Sequence, residues 1–547
     1  MAQSSRAVLI LVLIIVLLES AGGQGPRSAS AFSAQPKERF FEDDPIQVMP
    51  PPLPVTNPEK QNINDILDLF MKSEKVSAHT AKPAGGVNTL GEVPDSEWFV
   101  NRHALHRMTY DELQRGPGSS GPPVPPYTVI GGKTAGDKPG FRMKDSKGRK
   151  YFVKVDPLKY PELESSADVI VSKFLYAIGY YTPENEIVEL KLGDLRLSDK
   201  AMVTPEGARP RKMTWIDVED IVSRVPHRSD GSFRIIASLA IEGENIGPFR
   251  YRGVRRDDPN DIVPHEDRRD LRGLYVISAW LNNTDAKPTN TLDTVVTENG
   301  IPFIRHFQLD FGNALGSDGD APKDARLGHE FLIPTPVAAL ERVVTLGALP
   351  ASWEQVNYPK LRAVGNFEST LFDPDDWKPN YPNPTFLRRL PDDDYWAAKQ
   401  VMAFTDADIR AIVETGRLTI PRSAEYIART LAERRDKVGR TFFSKLLPLD
   451  HFRVENEELL FDDLAVKYGF HQPRSYRVRW SAFDNLQQSH TPLSGDTSHL
   501  PVEATQAATG SYFSAAIGAS GEAQKPVSVY LRKEGNGYKV VGVDRSW

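Results

Sequence analysis

The chain has 547 residues, 40% of them apolar, which is material for more than one globular core. A formal net charge of −6 leaves no global basic field, so bulk electrostatics point to no nucleic-acid partner. No cysteine occurs anywhere, which excludes disulfides and a lipidated cysteine.

Residues 1–31 have the parts of a secretory signal peptide: Arg6 in a short polar start, an apolar run over 7–18, and small residues after it. The run is short for a membrane span. Cleavage fits the 21–23 region or Ala29-Ser30-Ala31, and an uncleaved anchor is the second reading. The expected location is therefore secreted or periplasmic, without a stable transmembrane span.

Residues 32–126 read as a Pro-rich linker and N-terminal extension, punctuated at 50–54 and 116–126. One helix is predicted over 63–75, with Ile63, Ile66, Leu67 and Phe70 on one face. Trp98, Phe99 and the turn at 110–113 are expected to pack on the domain that follows.

At Tyr127 the pattern changes to three short strands over 127–134, 140–144 and 150–156. The loop between the first two holds Gly131, Gly132 and Lys133, which reads either as an anion-binding turn of backbone amides or as a plain hairpin turn. Lys154 lies on the third strand. A helix over 161–178, closed by Gly179, has Ala167, Val171, Phe174, Leu175 and Ile178 on its apolar face. Glu164 falls on that face and Glu162 does not. A carboxylate turned toward a core needs a cation, which makes Glu164 the first choice of partner for Lys154, Glu162 the second and Asp168 the third.

A strand follows at 186–191. Farther on, Arg255, Arg256, Asp257 and Asp258 read as an internal salt-bridge network or as part of a substrate site. The helix over 264–282 is apolar nearly all round from 274 onward and is therefore buried. It delivers the chain into Asn282-Asn283-Thr284-Asp285-Ala286-Lys287-Pro288-Thr289-Asn290. A β-hairpin comes next, with strands over 291–297 and 301–307 around Glu298-Asn299-Gly300, because Asn-Gly tolerates positive φ at both turn positions. Then comes Gln308-Leu309-Asp310-Phe311-Gly312. A hairpin folds the chain back, so Asp285 before it and Asp310 after it are expected side by side. Helices are predicted at 395–403, 405–415 and 422–447. From about 468 the pattern is strand-like, with Tyr476, Val478 and Trp480 alternating with arginines and a hairpin at Gly535-Asn536-Gly537.

Lys154, Glu164, Asp285, Asn290 and Asp310 occur in the order found in the protein-kinase-like superfamily, and the stretch 127–447 resembles its catalytic core. Asn283-Thr284-Asp285 with a following Asn is similar to the catalytic loop of HipA-type kinases. Residues 309–316 are similar to the metal loop of phosphoinositide 3/4-kinases. The resemblance implies an α+β, bilobal fold: a small β-rich lobe at 127–192, a larger helical lobe at 193–450, and a small C-terminal β-module at 468–547 outside it. It implies Asp285 as base, Lys287 on the γ-phosphate, Lys154 on the α/β-phosphates, and Asn290 and Asp310 as ligands of Mg²⁺, with Mn²⁺ as an alternative. Three departures stand out: no His-Arg before Asp285, no G-x-G-x-x-G loop, and no A-P-E after Gly312.

The leading functional reading is an exported atypical kinase that moves the γ-phosphate of ATP to a hydroxyl on a protein, lipid or small molecule. A catalytically silent pseudokinase is the second reading, disfavoured by the intact Asp285, Asn290 and Asp310. The third is an envelope or surface protein whose C-terminal β-module binds a protein or envelope component.

Overall fold

The computed structural model describes residues 37–72, 82–132, 140–205, 209–333 and 352–547; the expected signal peptide and Lys133 lie outside the described residues. Among the described residues no helix is long and apolar enough to cross a membrane.

The N-terminal extension runs over the rest of the molecule as a strap. Phe40 is buried against Phe483 and Tyr530. The Val55 amide donates to the Pro302 carbonyl at 2.9 Å and the Gln61 amide to Ile246 at 2.7 Å. Helix α1 (Ile63–Lys72) then buries Ile66 and Phe70, whereas Ile63, which opens it, stays exposed. Helix α2 (Tyr110–Arg115) starts on a capping box between Thr109 and Glu112.

A seven-stranded sheet comes next. It is built from β1 (Tyr127–Gly132), β2 (Gly140–Lys144), β3 (Lys150–Val155), β4 (Asn185–Leu190), β5 (Leu195–Val203), β6 (Arg211–Lys212) and β7 (Phe233–Leu239), in the spatial order β4-β7-β3-β2-β1-β5-β6. Only β1 and β5 pair in parallel. The period of two sends Tyr151, Val153 and Val155 into one core with Phe141, Met143 and Val218 of helix α4 (Trp215–Ser223). Lys154 points to the other face. Its cross-strand partner Ile236 packs there with Ile187 and with Val169 of helix α3 (Leu163–Ile178). The sheet runs on to Leu239, past the boundary expected at 192, because β4 does not leave it but pairs with β7.

The central core is helical. Helix α5 (Arg269–Leu281) is buried at every position: 274–281 through their all-round apolar character, and Arg269, Asp270 and Arg272 through ion pairs with Asp393, Arg268 and Asp267. It packs among α6 (Pro391–Met402), α7 (Asp406–Glu414) and α8 (Pro421–Phe442), with Phe174, Trp280, Trp396 and Leu431 in one cluster. Thr405 and Asp408 form the capping box of α7. Beside this core, β8 (Glu244–Gly247) pairs with a hairpin of β9 (Thr291–Glu298) and β10 (Ile301–Gln308). In the charged stretch after β8, Arg255 pairs with Asp257 at 3.1 Å and Asp293 at 3.2 Å, while Arg256 is exposed.

The C-terminal part holds β11 (Leu449–Glu455) paired with β12 (Glu458–Asp463), and five antiparallel strands. These are β13 (Tyr476–Asp484), β14 (Ser489–Pro492), β15 (Tyr512–Ala519), β16 (Val527–Glu534) and β17 (Gly537–Arg545), in the order β14-β13-β15-β16-β17. Their core takes Val478, Trp480 and Val529 together with Leu449 and Leu459. The strand-rich region therefore starts at Leu449, ahead of the expected 468, since the β11–β12 hairpin lends it two core leucines.

Candidate active site

Helix α5 ends at Leu281, and Asn282 caps it in the left-handed conformation at φ 50°. The chain turns through Asp285 and a single 3-10 turn, Pro288–Asn290, into β9. The hairpin register pairs Thr291 with Gln308 and closes on Asn299 and Gly300, both at positive φ. The Leu309 amide then donates to the Asn290 carbonyl at 2.9 Å, which brings Asp310 alongside Asn290. Asp310 has φ 56°, a strained setting for a residue with a side chain and one met at functional sites.

Asp285 is buried and held from four sides. Asn290 Nδ2 donates to Oδ2 at 3.0 Å and to the Asp285 carbonyl at 2.9 Å. Lys287 Nζ lies 2.9 Å from Oδ1. Asn313 Nδ2 reaches Oδ2 and Asn380 Nδ2 reaches Oδ1, each at 3.4 Å.

Lys154 joins the sheet to this centre. Its Nζ donates to Asp310 Oδ1 at 2.6 Å and to Asp168 Oδ2 at 2.9 Å. Burial opposes the ammonium charge, but Asp168, Asp310 and Glu164 hold its pKa above the ordinary lysine value. The helix carboxylate bonded to Lys154 is thus Asp168, not Glu164. Glu164, one turn earlier, lies against Gly312, where an added Cβ would sit 2.9 Å from its Oε1. Glu162 serves elsewhere, accepting from the Thr419 amide at 2.9 Å. Asp168 is itself fixed by Asn185 Nδ2 at 2.6 Å, and Asn185 by Ser238 Oγ at 2.5 Å. This relay crosses α3, β4 and β7, and no local pattern in the sequence announces it.

Gly131 and Gly132 have a packing explanation. A Cβ on Gly131 would lie 2.7 Å from Arg142 Nη2 and 3.1 Å from the Met202 carbonyl, and one on Gly132 would lie 2.7 Å from Val203 Cγ2. Close approach of β5 accounts for both. Arg142, exposed on β2 and extending over Gly131, is a cation the sequence reading passed over.

It also passed over Lys323, a buried lysine that donates to Thr284 Oγ1 at 2.7 Å and to the carbonyls of Asn313 at 2.6 Å and Asn282 at 3.2 Å. The stretch 377–383 adds three more ties. Trp377 Nε1 donates to Asn282 Oδ1 at 3.0 Å, the Asn380 amide to the Thr284 carbonyl at 2.7 Å, and Asn383 Nδ2 to the Ala286 carbonyl at 3.2 Å. The loop bearing Asp285 is thereby fixed at every residue from 282 to 286 except Asn283, whose amide bonds back to Ser278 at 2.8 Å. Such a centre has a rigid carboxylate at Asp285, hard oxygen donors at Asn290 and Asp310 on adjoining loops, and cations at Lys154 and Lys287. Those are the parts needed to take a proton, hold a hard divalent ion and bind phosphate.

No family model and no curated protein matches the chain. Among solved structures it is similar to kinases. One is the Helicobacter pylori proinflammatory kinase CtkA, at 12% identity and a TM-score of 0.30, over 57% of this chain and 94% of that one. Another is the Golgi casein kinase, at 8% identity and a TM-score of 0.29, over 73% of this chain and 96% of that one. The same kinase with Mn/ADP bound gives 10% identity and a TM-score of 0.28, over 73% and 94%. Likenesses this distant carry no chemical conclusion; the chemistry rests on Lys154, Asp285, Asn290 and Asp310.

Proposed function

We propose that the chain is an exported atypical kinase that transfers the γ-phosphate of ATP to a hydroxyl on a protein, lipid or small molecule. The seven-stranded sheet with α3 is its small lobe, the helical core its large lobe, and the C-terminal sheet an appended module. The observation that carries this reading is the 2.6 Å contact of Asp310 with Lys154, made beside a loop whose Asp285 is oriented by Asn290.

Asp285 is the general base. Asn290 holds one carboxylate oxygen, and the carboxylate takes the proton of the acceptor hydroxyl as the hydroxyl oxygen bonds to the γ-phosphorus and the bond to the β–γ bridging oxygen breaks, with ADP as the leaving group. Lys287, at Oδ1 of the base, is placed to reach the transferring phosphoryl group. Lys154 binds the α/β-phosphates and keeps its charge through Asp168. The oxygen donors Asn290 and Asp310 suit Mg²⁺ or Mn²⁺, which when bound would neutralise charge on the phosphates.

A thermal-shift titration with ATP or GTP and Mg²⁺ or Mn²⁺, beside Asp310→Ala, tests this reading. A ligand bound only by the folded state adds about 2.7 kcal/mol at a hundredfold excess over Kd. The expected result is metal-dependent stabilisation of the wild type that the variant loses. Absence of any shift with every nucleotide and metal pair overturns the proposal.

A further inference from the structure

We infer that Lys323 is a positioning residue of this centre: its buried ammonium latches the loop bearing Asp285 to the loop bearing Asp310 and sets a positive charge beneath the base. The kinetic part of this inference rests on the kinase reading; the structural part does not.

Lys323 is 1% exposed. Its backbone is fixed, the amide donating to the Gly316 carbonyl at 2.8 Å and the carbonyl accepting from Asn366 Nδ2 at 2.6 Å. From there Nζ serves two acceptors on one loop, Asn282 O and Thr284 Oγ1, and one on the other, Asn313 O. An ammonium has three N–H donors, so each is used. Asn313 in turn reaches Asp285, so the latch acts on the base through a residue it immobilises. All three acceptors are neutral, and among the described residues no carboxylate forms an ion pair with it.

Burial therefore dominates and brings the Lys323 pKa down to about 8, opposed by Asp318 and Asp285 and reinforced by Arg434. Above that pH a neutral amine has two N–H groups for three acceptors, and Asp285 loses the nearby charge. The sign of the linked stability is opposite to that of activity. The folded pKa lies below the unfolded one, so from about pH 8 upward the unfolded chain holds a proton that the folded chain lacks. This group's contribution to stability then rises with pH while turnover falls. A lysine that served only folding would shift stability with pH and leave turnover unmoved.

The test uses the full chain with Lys323→Met and Lys323→Arg. Hydrogen exchange is followed over residues 282–292 and 309–317, and melting temperature and ATP turnover are followed across about pH 6.5 to 9.5. For the wild type we expect kcat to fall above about pH 8 while its melting temperature rises relative to Lys323→Met. The Met variant should show faster exchange in both loops, with kcat at least about tenfold lower, flat in pH, and KM for ATP within about threefold. Wild-type exchange in both loops, or a wild-type pH profile, in the Met variant overturns the inference. If the Met variant does not fold, Lys323→Arg decides: an alkaline limb shifted upward supports the latch and an unmoved limb overturns it. If the wild type turns over no nucleotide, the kinase reading fails, and the exchange data alone judge the latch.

Discussion

Lys154, half-buried, and Lys323, buried, each bring an ammonium to this centre, yet their surroundings are opposite in kind. Lys154 is clamped by two carboxylates, Asp168 and Asp310, that hold its pKa above the ordinary lysine value. Lys323 is surrounded by two carbonyls and a hydroxyl, and burial brings its pKa down to about 8. The contrast separates two uses of a lysine. One is a charge held by paired carboxylates; the other is a three-pronged strut whose charge is only weakly supported.

The largest expected effect lies outside both lysines and sets the scale for them. Asp285→Asn should lower turnover by ~10²–10⁴ while leaving the nucleotide-induced melting shift in place, as loss of a general base does. Steady-state kinetics beside thermal shift checks it, and loss of the shift would mean that Asp285 binds rather than reacts.

Lys154→Met should abolish the nucleotide shift and destabilise the fold by ~3–5 kcal/mol, because Asp168 is left buried without its cation. Adding Asp168→Asn should recover most of that stability and none of the binding. If the single variant is as stable as the wild type, the carboxylate clamp is not what holds Lys154.

The pH dependence sharpens the contrast. The Lys154 pKa is raised, so its contribution to stability is present below the ordinary lysine pKa and is lost only as pH rises past it. Nucleotide Kd should therefore change less than about threefold between about pH 7 and 9, across the same interval in which Lys323 loses its proton and turnover falls. Isothermal titration at several pH values would break the distinction if Kd tracks kcat.

The smallest effect belongs to Asn380→Ala. It removes one long hydrogen bond to Asp285 and keeps the backbone tie to Thr284, so a cost of about 1 kcal/mol, seen as a severalfold drop in kcat, is expected.

Much of the frame was legible in the sequence for plain reasons. The Asn299-Gly300 turn between apolar runs defines the hairpin, the apolar girth of 274–281 buries α5, and period two marks β2 and β3. The partner of Lys154 was not legible. Glu164 and Asp168 lie four residues apart on one helical stripe, so choosing between them requires the height of α3 on the sheet, which β4 and β7 set from far along the chain. Lys323, Asn380 and Asn383 come from the loop-rich stretch after Gly312, which has no periodicity to read. The crowding of Gly131 and Gly132 by β5 depends on a parallel pairing that no local pattern announces.

The strap has a consequence for how the chain reaches its final form. Arg39 bonds Tyr530, 491 positions away, and Asp544, 505 positions away, while Asn485 exchanges two hydrogen bonds with the backbone of Phe40. On the ribosome Arg39 and Phe40 are made long before the strands on which they land. Val55 and Gln61 can dock on Pro302 and Ile246 earlier, but Arg39 and Phe40 stay undocked until the final strands have emerged, and their contact closes a loop that spans 505 positions.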